Sequence, residues 1–137
     1  MKTGRAAPAP LASFLAFDFG TRRVGVASGN ALTRTATPLR TLDAEGEARF
    51  EAIGALIGQW RPDALVVGIP CHPDGAEHEN TRRARRFARQ LHARFRLPVH
   101  EVDERYSTVE AQAAGARDLD AASAAIILEQ FLGGVHA

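Results

Sequence analysis

One aspartate stands where an isolated charge is costly. Asp18 interrupts the apolar segment Ser13–Phe19 (SFLAFDF), which has the pattern of a buried strand. An ionised carboxylate in a low-dielectric interior is unfavourable unless it is paired or bound to a metal ion. Asp18 therefore predicts a cation-binding site. The alternative is a carboxylate that accepts hydrogen bonds from the backbone of the turn at Gly20 and Thr21.

A run of arginines is the second chemical signal. Seven arginines and no acid lie between Thr81 and Arg96, whereas residues 97–137 carry seven acids and two arginines. An uncompensated positive helix face attracts a phosphate backbone without reading its sequence. We therefore expect nucleic-acid contacts, the alternative being a solvated face and ordinary turn charges. The candidates are Arg82, Arg86 and Arg89 in this run, and Arg22, Arg23 and Arg105 elsewhere.

Composition excludes several classes of protein. Apolar residues make up 45% and charged residues 24% of the 137 residues, as in ordinary soluble domains. No apolar run approaches the roughly 18 residues that span a bilayer, so we expect no membrane partner. The single cysteine, Cys71, fits a reducing cytoplasm. Cys71, His72 and His78 share one loop but lack zinc-ligand spacing, so we expect no zinc site.

Apolar periodicity predicts the elements that position these residues. Residues 1–12, rich in Ala and Pro, read as a flexible tail, and residues 13–137 as one domain. Predicted strands are Ser13–Phe19, Val24–Ala27, Leu32–Leu39, Ala64–Ile69 and Val99–Asp103. Predicted helices are Glu45–Trp60, Thr81–Phe95, one that begins after Tyr106, and Asp120–Leu132.

This order of elements predicts an α/β fold. Three antiparallel strands followed by alternating helices and strands give a five-stranded mixed sheet, with the later strands parallel to the first and helices on both faces. Asp18 is expected near the middle of the first strand. In the helix predicted over Glu45–Trp60, the spacing of Phe50, Ile53, Leu56, Ile57 and Trp60 is that of one helical face.

The chain resembles the YqgF-type, RuvX-like proteins, a family described as Holliday junction resolvases or pre-16S ribosomal RNA nucleases. The resemblance covers residues 14–132. It rests on FLAFDFGTRRVGVASG (14–29), ATPL (36–39), VVGIP (66–70), DGAEHENTRRARRFA (74–88), VDERYSTVEA (102–111) and LDAASAAIILEQFL (119–132). One departure is the connection Gln112–Leu119, which is shorter than is usual in the family and puts substrate handling in question.

The resemblance implies a ribonuclease H-like fold and three acidic positions. These correspond to Asp18, to the pair Asp103 and Glu104, and to Asp120. Of the pair we favour Glu104, with Asp103 as the alternative. Asp120 also fits a helix N-cap, and the acid of the pair that is not a ligand also fits a surface ion pair with Arg105.

Acids at these positions suit phosphodiester cleavage. The reaction needs an activated water, a stabilised leaving oxygen and charge neutralisation, which two Mg²⁺ or Mn²⁺ ions about 4 Å apart supply. Such ions prefer carboxylate oxygens. Asp18, Glu104 and Asp120 are therefore the expected metal ligands and catalytic residues, with Asp18 bridging both ions.

These observations favour a metal-dependent nuclease that acts on structured nucleic acid in the cytoplasm, as a monomer or homodimer. The leading substrate is the 5′ end of pre-16S ribosomal RNA, and the alternative is a four-way DNA junction. A rival of another class is a non-catalytic RNA-binding module of ribosome assembly. A second rival, an ATPase suggested by the phosphate-loop likeness of residues 18–21, would need two such domains.

Overall fold

The computed structural model describes residues 13–20, 22–70, 79–104 and 119–133. Within these ranges the chain forms five strands and three helices. The strands are β1 (Ser13–Phe19), β2 (Val24–Asn30), β3 (Thr35–Leu42), β4 (Ala64–Pro70) and β5 (Val99–Glu104). The helices are α1 (Gly46–Trp60), α2 (Glu79–Phe95) and α3 (Leu119–Gly133).

The five strands form one mixed sheet in the order β3-β2-β1-β4-β5. Strands β1, β2 and β3 pair antiparallel, whereas β4 pairs parallel with β1 and β5 pairs parallel with β4. Parallel neighbours require a crossover connection, which α1 and α2 supply. The predicted five-stranded mixed sheet is confirmed, and β1, the strand that carries Asp18, is its central strand.

Helices α1 and α2 cover one face of the sheet over a core of large side chains. Alternate residues of the central strands, such as Leu15 and Phe17, point into this core. Phe87 of α2 contacts the rings of Phe17, Phe19 and Phe50, with centroids 5.0–6.0 Å apart. The predicted apolar stripe of α2 is therefore the buried one.

Helix α3 covers the opposite face, where the side chains are smaller. One cluster joins Phe14 and Ala16 of β1 to Ile127, Leu128 and Leu132 of α3. A second cluster consists of alanines: Ala27 of β2 packs against Ala124 and Ala125. Because alternate residues of a strand point to opposite faces, the even-numbered residues of β1 face α3. Asp18 belongs to this set.

Helices α1 and α2 end where the sequence predicts, each at an arginine in the left-handed backbone conformation. The N–H of Arg61 (φ 49°) donates to the carbonyl of Ile57 at 2.7 Å, and that of Arg96 (φ 59°) donates to His92 at 2.9 Å. A proline follows within two residues in both cases and prevents the helix from continuing.

Three expectations need revision. Strand β3 begins at Thr35, three residues later than predicted, because the Asn30 side chain accepts hydrogen bonds from the N–H groups of Leu32 and Thr33 and closes a turn. Trp60, the last residue of α1, is 44% exposed although its spacing placed it on the buried face. Asp18 is the penultimate residue of β1, near the strand end. The helix expected after Tyr106 falls outside the described residues.

None of the helices in the described ranges combines the length and apolar character needed to cross a membrane.

Candidate functional site

Asp18 lies near the carboxyl end of β1, on the face covered by α3. It pairs with Gly25 of β2 on one side and with Gly68 of β4 on the other. Neither neighbour carries a side chain, so no bulky group flanks the carboxylate along this row of the sheet. The residue is half-buried, and other polar groups of the chain interact with it. This differs from the fully buried charge that the sequence suggested.

The first turn of α3 lies directly on Gly25. A Cβ atom at this position would overlap the carbonyl group of Asp120 and come within 2.8 Å of the Ala121 nitrogen. Only glycine therefore allows the start of α3 to approach β2 so closely. Residues opposite each other in an antiparallel pair have Cβ positions about 5 Å apart, so Asp120 lies beside Asp18. The sequence reasoning missed Gly25, although a glycine inside a strand is a known sign of close backbone approach.

Asp120 is the second residue of α3, in its first turn. Its Oδ2 atom lies 3.1 Å from Nε of Arg23 in an ion pair, in which the Asp120 side chain is 31% exposed and the Arg23 side chain 62%. A carboxylate here also interacts favourably with the positive end of the helix dipole. The predicted N-cap alternative is wrong, because the helix begins at Leu119 and Asp120 therefore lies two positions after the N-cap position.

The register of β5 separates Asp103 from Glu104. Asp103 pairs with Ile69, which belongs to the core under α1 and α2, whereas Glu104 pairs with Pro70, two residues after Gly68. Glu101, two residues before Asp103, forms an ion pair with Arg85 of α2 at 3.7 Å. Strand alternation thus assigns Asp103 to the α2 face and Glu104 to a register position on the α3 face, the face of Asp18.

The arginines of α2 are not equally available. Glu79, just before the run, accepts hydrogen bonds from Arg82 at 2.8 Å and from Arg83 at 3.0 Å. The pKa of the Glu79 carboxyl is lowered most by the hydrogen bond from Arg82, then by the hydrogen bond from Arg83, and then by the positive charges of both arginines. Arg86 and Arg89 are exposed, and in the described part of the chain neither has an ion-pair partner.

Arg94, at the end of the same helix, has a structural role. Its guanidinium binds both carboxylate oxygens of Glu47 at 2.8 and 2.9 Å and lies 4.0 Å from the centroid of the Phe50 ring. It therefore joins α2 to α1. Some arginines of the positively charged run are therefore paired with acids, whereas Arg86 and Arg89 have no ion pair with any described residue.

Several predicted positions lie outside the described residues. They include Arg105 and the loop with Cys71, His72 and His78, and the side chain of Glu104 is likewise not described. Among the side chains that are described, no three His, Cys, Asp or Glu residues form a group that would hold a metal ion. The structure pairs Asp120 with Arg23 and places the start of α3 on Gly25, the residue opposite Asp18. Arg82, Arg86 and Arg89 lie on α2, which covers the other face of the sheet.

Comparison with known proteins identifies a family. The family model of RuvX, described as Holliday junction resolvase, matches residues 12–134. A protein of a Polaromonas species is 70% identical over 124 residues, which is 90% of each chain, and one of Albidiferax ferrireducens is 65% identical over 124 residues, 90% of this chain and 80% of that one. Both are named "Putative pre-16S rRNA nuclease".

Among solved structures, RuvC of Thermus thermophilus in complex with a Holliday junction superposes with a TM-score of 0.55. The match covers 88% of this chain and 93% of RuvC at 15% identity, so it shows the fold alone. The predicted ribonuclease H-like architecture is confirmed by this likeness together with the strand order.

Proposed function

Since the chain belongs to the RuvX family of nucleases, we propose that it hydrolyses phosphodiester bonds of structured nucleic acid with divalent metal ions held at Asp18. The observation that carries this proposal is the close approach of α3 over Gly25, which lays Asp120 beside Asp18 on one face of the sheet. Two acidic residues that are more than a hundred residues apart in the sequence thereby lie on the same face of the sheet.

The donor set fits Mg²⁺ or Mn²⁺, because both prefer carboxylate oxygens and keep part of their water shell. Gly68, which pairs with Asp18 on the β4 side, adds no side chain of its own beside the carboxylate. When bound, two such ions supply an activated water and neutralise the charge on the phosphate. Asp18 would bridge them, Asp120 would hold one side, and the exposed surface gives a nucleic-acid strand access.

We assign the third ligand position to Glu104. Its register position on the α3 face supports this choice, because Asp103, its neighbour, belongs to the opposite face. A ligand from β5 would close the site on the side away from β2, so that the three acids come from β1, β5 and α3. Asp103 is better suited to the surface interactions of the α2 side.

For substrate binding we propose two groups of arginines. Arg22 and Arg23 lie between β1, which carries Asp18, and β2, and would hold the strand that is cut. Arg86 and Arg89 would contact phosphates farther along the nucleic acid, because they are exposed and carry uncompensated charge. Arg82 contributes less, since Glu79 shares its guanidinium, and Arg105 remains the predicted contact beside Glu104.

The substrate we propose is the precursor of 16S ribosomal RNA, which places the protein in the cytoplasm. Support comes from relatives with 65–70% identity that carry this name. A four-way DNA junction is the second candidate, because the family is described as Holliday junction resolvase and the RuvC structure is a complex with a Holliday junction.

The test is incubation of the purified chain with Mg²⁺ or Mn²⁺ and, separately, precursor ribosomal RNA, four-way DNA junctions and unstructured single-stranded RNA. We expect the precursor RNA to be cut and the junction to remain intact. Asp18→Asn should reduce cleavage by on the order of a thousandfold, since several kcal/mol of charge stabilisation are lost. Asp43→Asn, an exposed aspartate before α1, is the matched control and should cleave normally.

The rivals give different results in the same assay. Cleavage of junctions alone would make DNA the substrate. Tight RNA binding by a protein that cleaves none of the three substrates would support the non-catalytic assembly module and contradict the proposed chemistry. Equal cleavage by wild type and Asp18→Asn would remove Asp18 from the centre of the site.

A further inference from the structure

Arg23 forms an ion pair with Asp120, whose carboxylate is one of the proposed metal ligands. It follows the turn after β1, and the turn is tight: a Cβ atom at Gly20 would lie 2.6 Å from the carbonyl oxygen of Arg23. The glycine thus lets the chain fold back so that Arg23 lies in front of the first turn of α3. Its Nε atom forms an ion pair with Oδ2 of Asp120.

The contact is suited to being broken. In the described part of the chain it consists of a single pairing, Nε to Oδ2 at 3.1 Å, and the Arg23 side chain is 62% exposed. Exposed ion pairs of this kind add little to stability. By contrast, Arg94 binds Glu47 through two nitrogens and lies against the Phe50 ring. Arg94 is therefore held more firmly than Arg23, and Arg23 lies at an acid of the proposed site.

A guanidinium and a divalent ion compete for this position. Each favours an oxygen of Asp120, and like charges at a separation of a few ångströms repel one another even in water. Binding of a divalent ion would weaken the Arg23–Asp120 contact. Arginine released there would lie within reach of a phosphate group at the metal site, to which its planar donor set is matched.

We propose that Arg23 is a positioning residue that holds the Asp120 carboxylate before metal binds, and that metal binding releases its guanidinium to a phosphate of the substrate. The inference rests on the proposed function, because it requires divalent ions at Asp18 and Asp120. It adds a coupling: metal binding and nucleic-acid binding strengthen each other through one arginine.

The experiment is calorimetric titration with Mn²⁺ alone of four proteins: wild type, Arg23→Gln, Arg23→Lys and Arg22→Gln. Arg23→Gln should bind Mn²⁺ roughly three- to tenfold more tightly, because a competing charge a few ångströms from the ion is gone. Arg23→Lys keeps the charge and should stay near wild type. Arg22→Gln removes an equal charge from the adjacent residue, which has no ion pair with the described residues, and should change the affinity less than about twofold.

A second measurement tests the release. At saturating Mn²⁺, Arg23→Gln should raise KM for the cleaved substrate several-fold while kcat changes little, because the lost contact is to a phosphate in both ground and transition states. A purely structural role would instead lower the thermal midpoint and leave the Mn²⁺ affinity unchanged.

The outcomes separate the inference from its premise. Equal gains in Mn²⁺ affinity for Arg23→Gln and Arg22→Gln, or no gain for either, would overturn the positioning role and leave the metal site standing. If wild type shows no Mn²⁺ binding that Asp18→Asn abolishes, the proposed function itself fails.

Discussion

The two faces of the sheet are built from different side chains and serve different ends. Under α1 and α2 the core is thick: Phe87 packs against three other phenylalanine rings. Under α3 the contact with β2 consists of glycine and alanine, and the helix backbone touches the strand at Gly25. Each large buried side chain contributes about 1.5–3 kcal/mol of stability, so the first face carries much of the stability.

Around Gly25 and Ala27, small residues bury less area but allow α3 and β2 to lie closer together. A larger residue at position 25 would push the start of α3 outward and move Asp120 away from Asp18. Here a helix-borne acid comes close to a strand-borne acid because a glycine lets the two backbones approach.

Adjacent acids of β5 should differ strongly because they belong to different faces. We expect Glu104→Gln to reduce cleavage by on the order of a thousandfold, as loss of a metal ligand does. Asp103→Asn should stay within a few-fold of wild type. Cleavage rates at saturating Mg²⁺ check this, with circular dichroism to show that both variants fold. A larger loss for Asp103→Asn would reverse the assignment.

Two glycine substitutions compare the tightness of the faces. Gly25→Ala should destabilise the fold by about 1–3 kcal/mol and also suppress cleavage, because Asp120 has to move. Gly58→Ala, in α1, meets no atom within 4 Å and should stabilise the helix by up to about 1 kcal/mol. Urea unfolding and cleavage assays measure both. Wild-type stability and activity of Gly25→Ala would show that the close approach is not required.

On α2 the arginines should separate according to their partners. When Arg86 and Arg89 are both replaced by glutamine, the slope of log affinity against log salt concentration should become less steep by roughly 1.5, because each lost phosphate contact removes about 0.7–0.9 from the slope. The double variant of Arg82 and Arg83 should change the slope less, because Glu79 already binds both. Fluorescence anisotropy with RNA at several salt concentrations provides the slopes. Identical slopes in wild type and the Arg86 and Arg89 variant would exclude this helix face from the interface.

The smallest effect concerns the exposed ion pair between Glu47 of α1 and Arg94 of α2. Hydrogen bonding and charge from Arg94 lower the pKa of Glu47 below its ordinary value of 4.5. A carboxyl whose pKa is lowered by folding stabilises the protein above its unfolded-state pKa, and this contribution disappears as the pH falls through the folded-state value. Wild type should therefore be slightly more stable than Glu47→Gln at pH 7, and the difference should vanish in acid. Urea midpoints from pH 7 to pH 3 check the trend, and a constant difference would contradict it.

Much of the fold could be predicted from local patterns. The strand and helix order follows from the spacing of apolar residues, and the ends of α1 and α2 follow from the prolines at 62 and 98. The start of β3 could not be predicted, because it depends on hydrogen bonds of the Asn30 side chain. Trp60 has the spacing of a buried residue, but at the end of α1 it is 44% exposed.

The candidate site divides in the same way. Asp18 stands out in the sequence because one acid interrupts an apolar strand, and the family resemblance supplies Asp120 and the pair at 103 and 104. Glu79 precedes Thr81 and therefore lies outside the acid-free segment from Thr81 to Arg96. Its pairing with Arg82 and Arg83 depends on helical spacing of three and four residues, which brings these side chains together.

The order of elements, the strand interrupted by one acid and the concentration of positive charge depend on residue types and their spacing, so the sequence is enough to predict them. The face that each acid occupies depends on how the strands and helices pack in three dimensions. The register of β5 against β4 separates Asp103 from Glu104, and the packing of α3 on Gly25 brings Asp120 to Asp18 and to Arg23. The physical reason is that side chains alternate between faces of a strand, so a shift of one residue in pairing, which no local pattern reveals, exchanges the two faces.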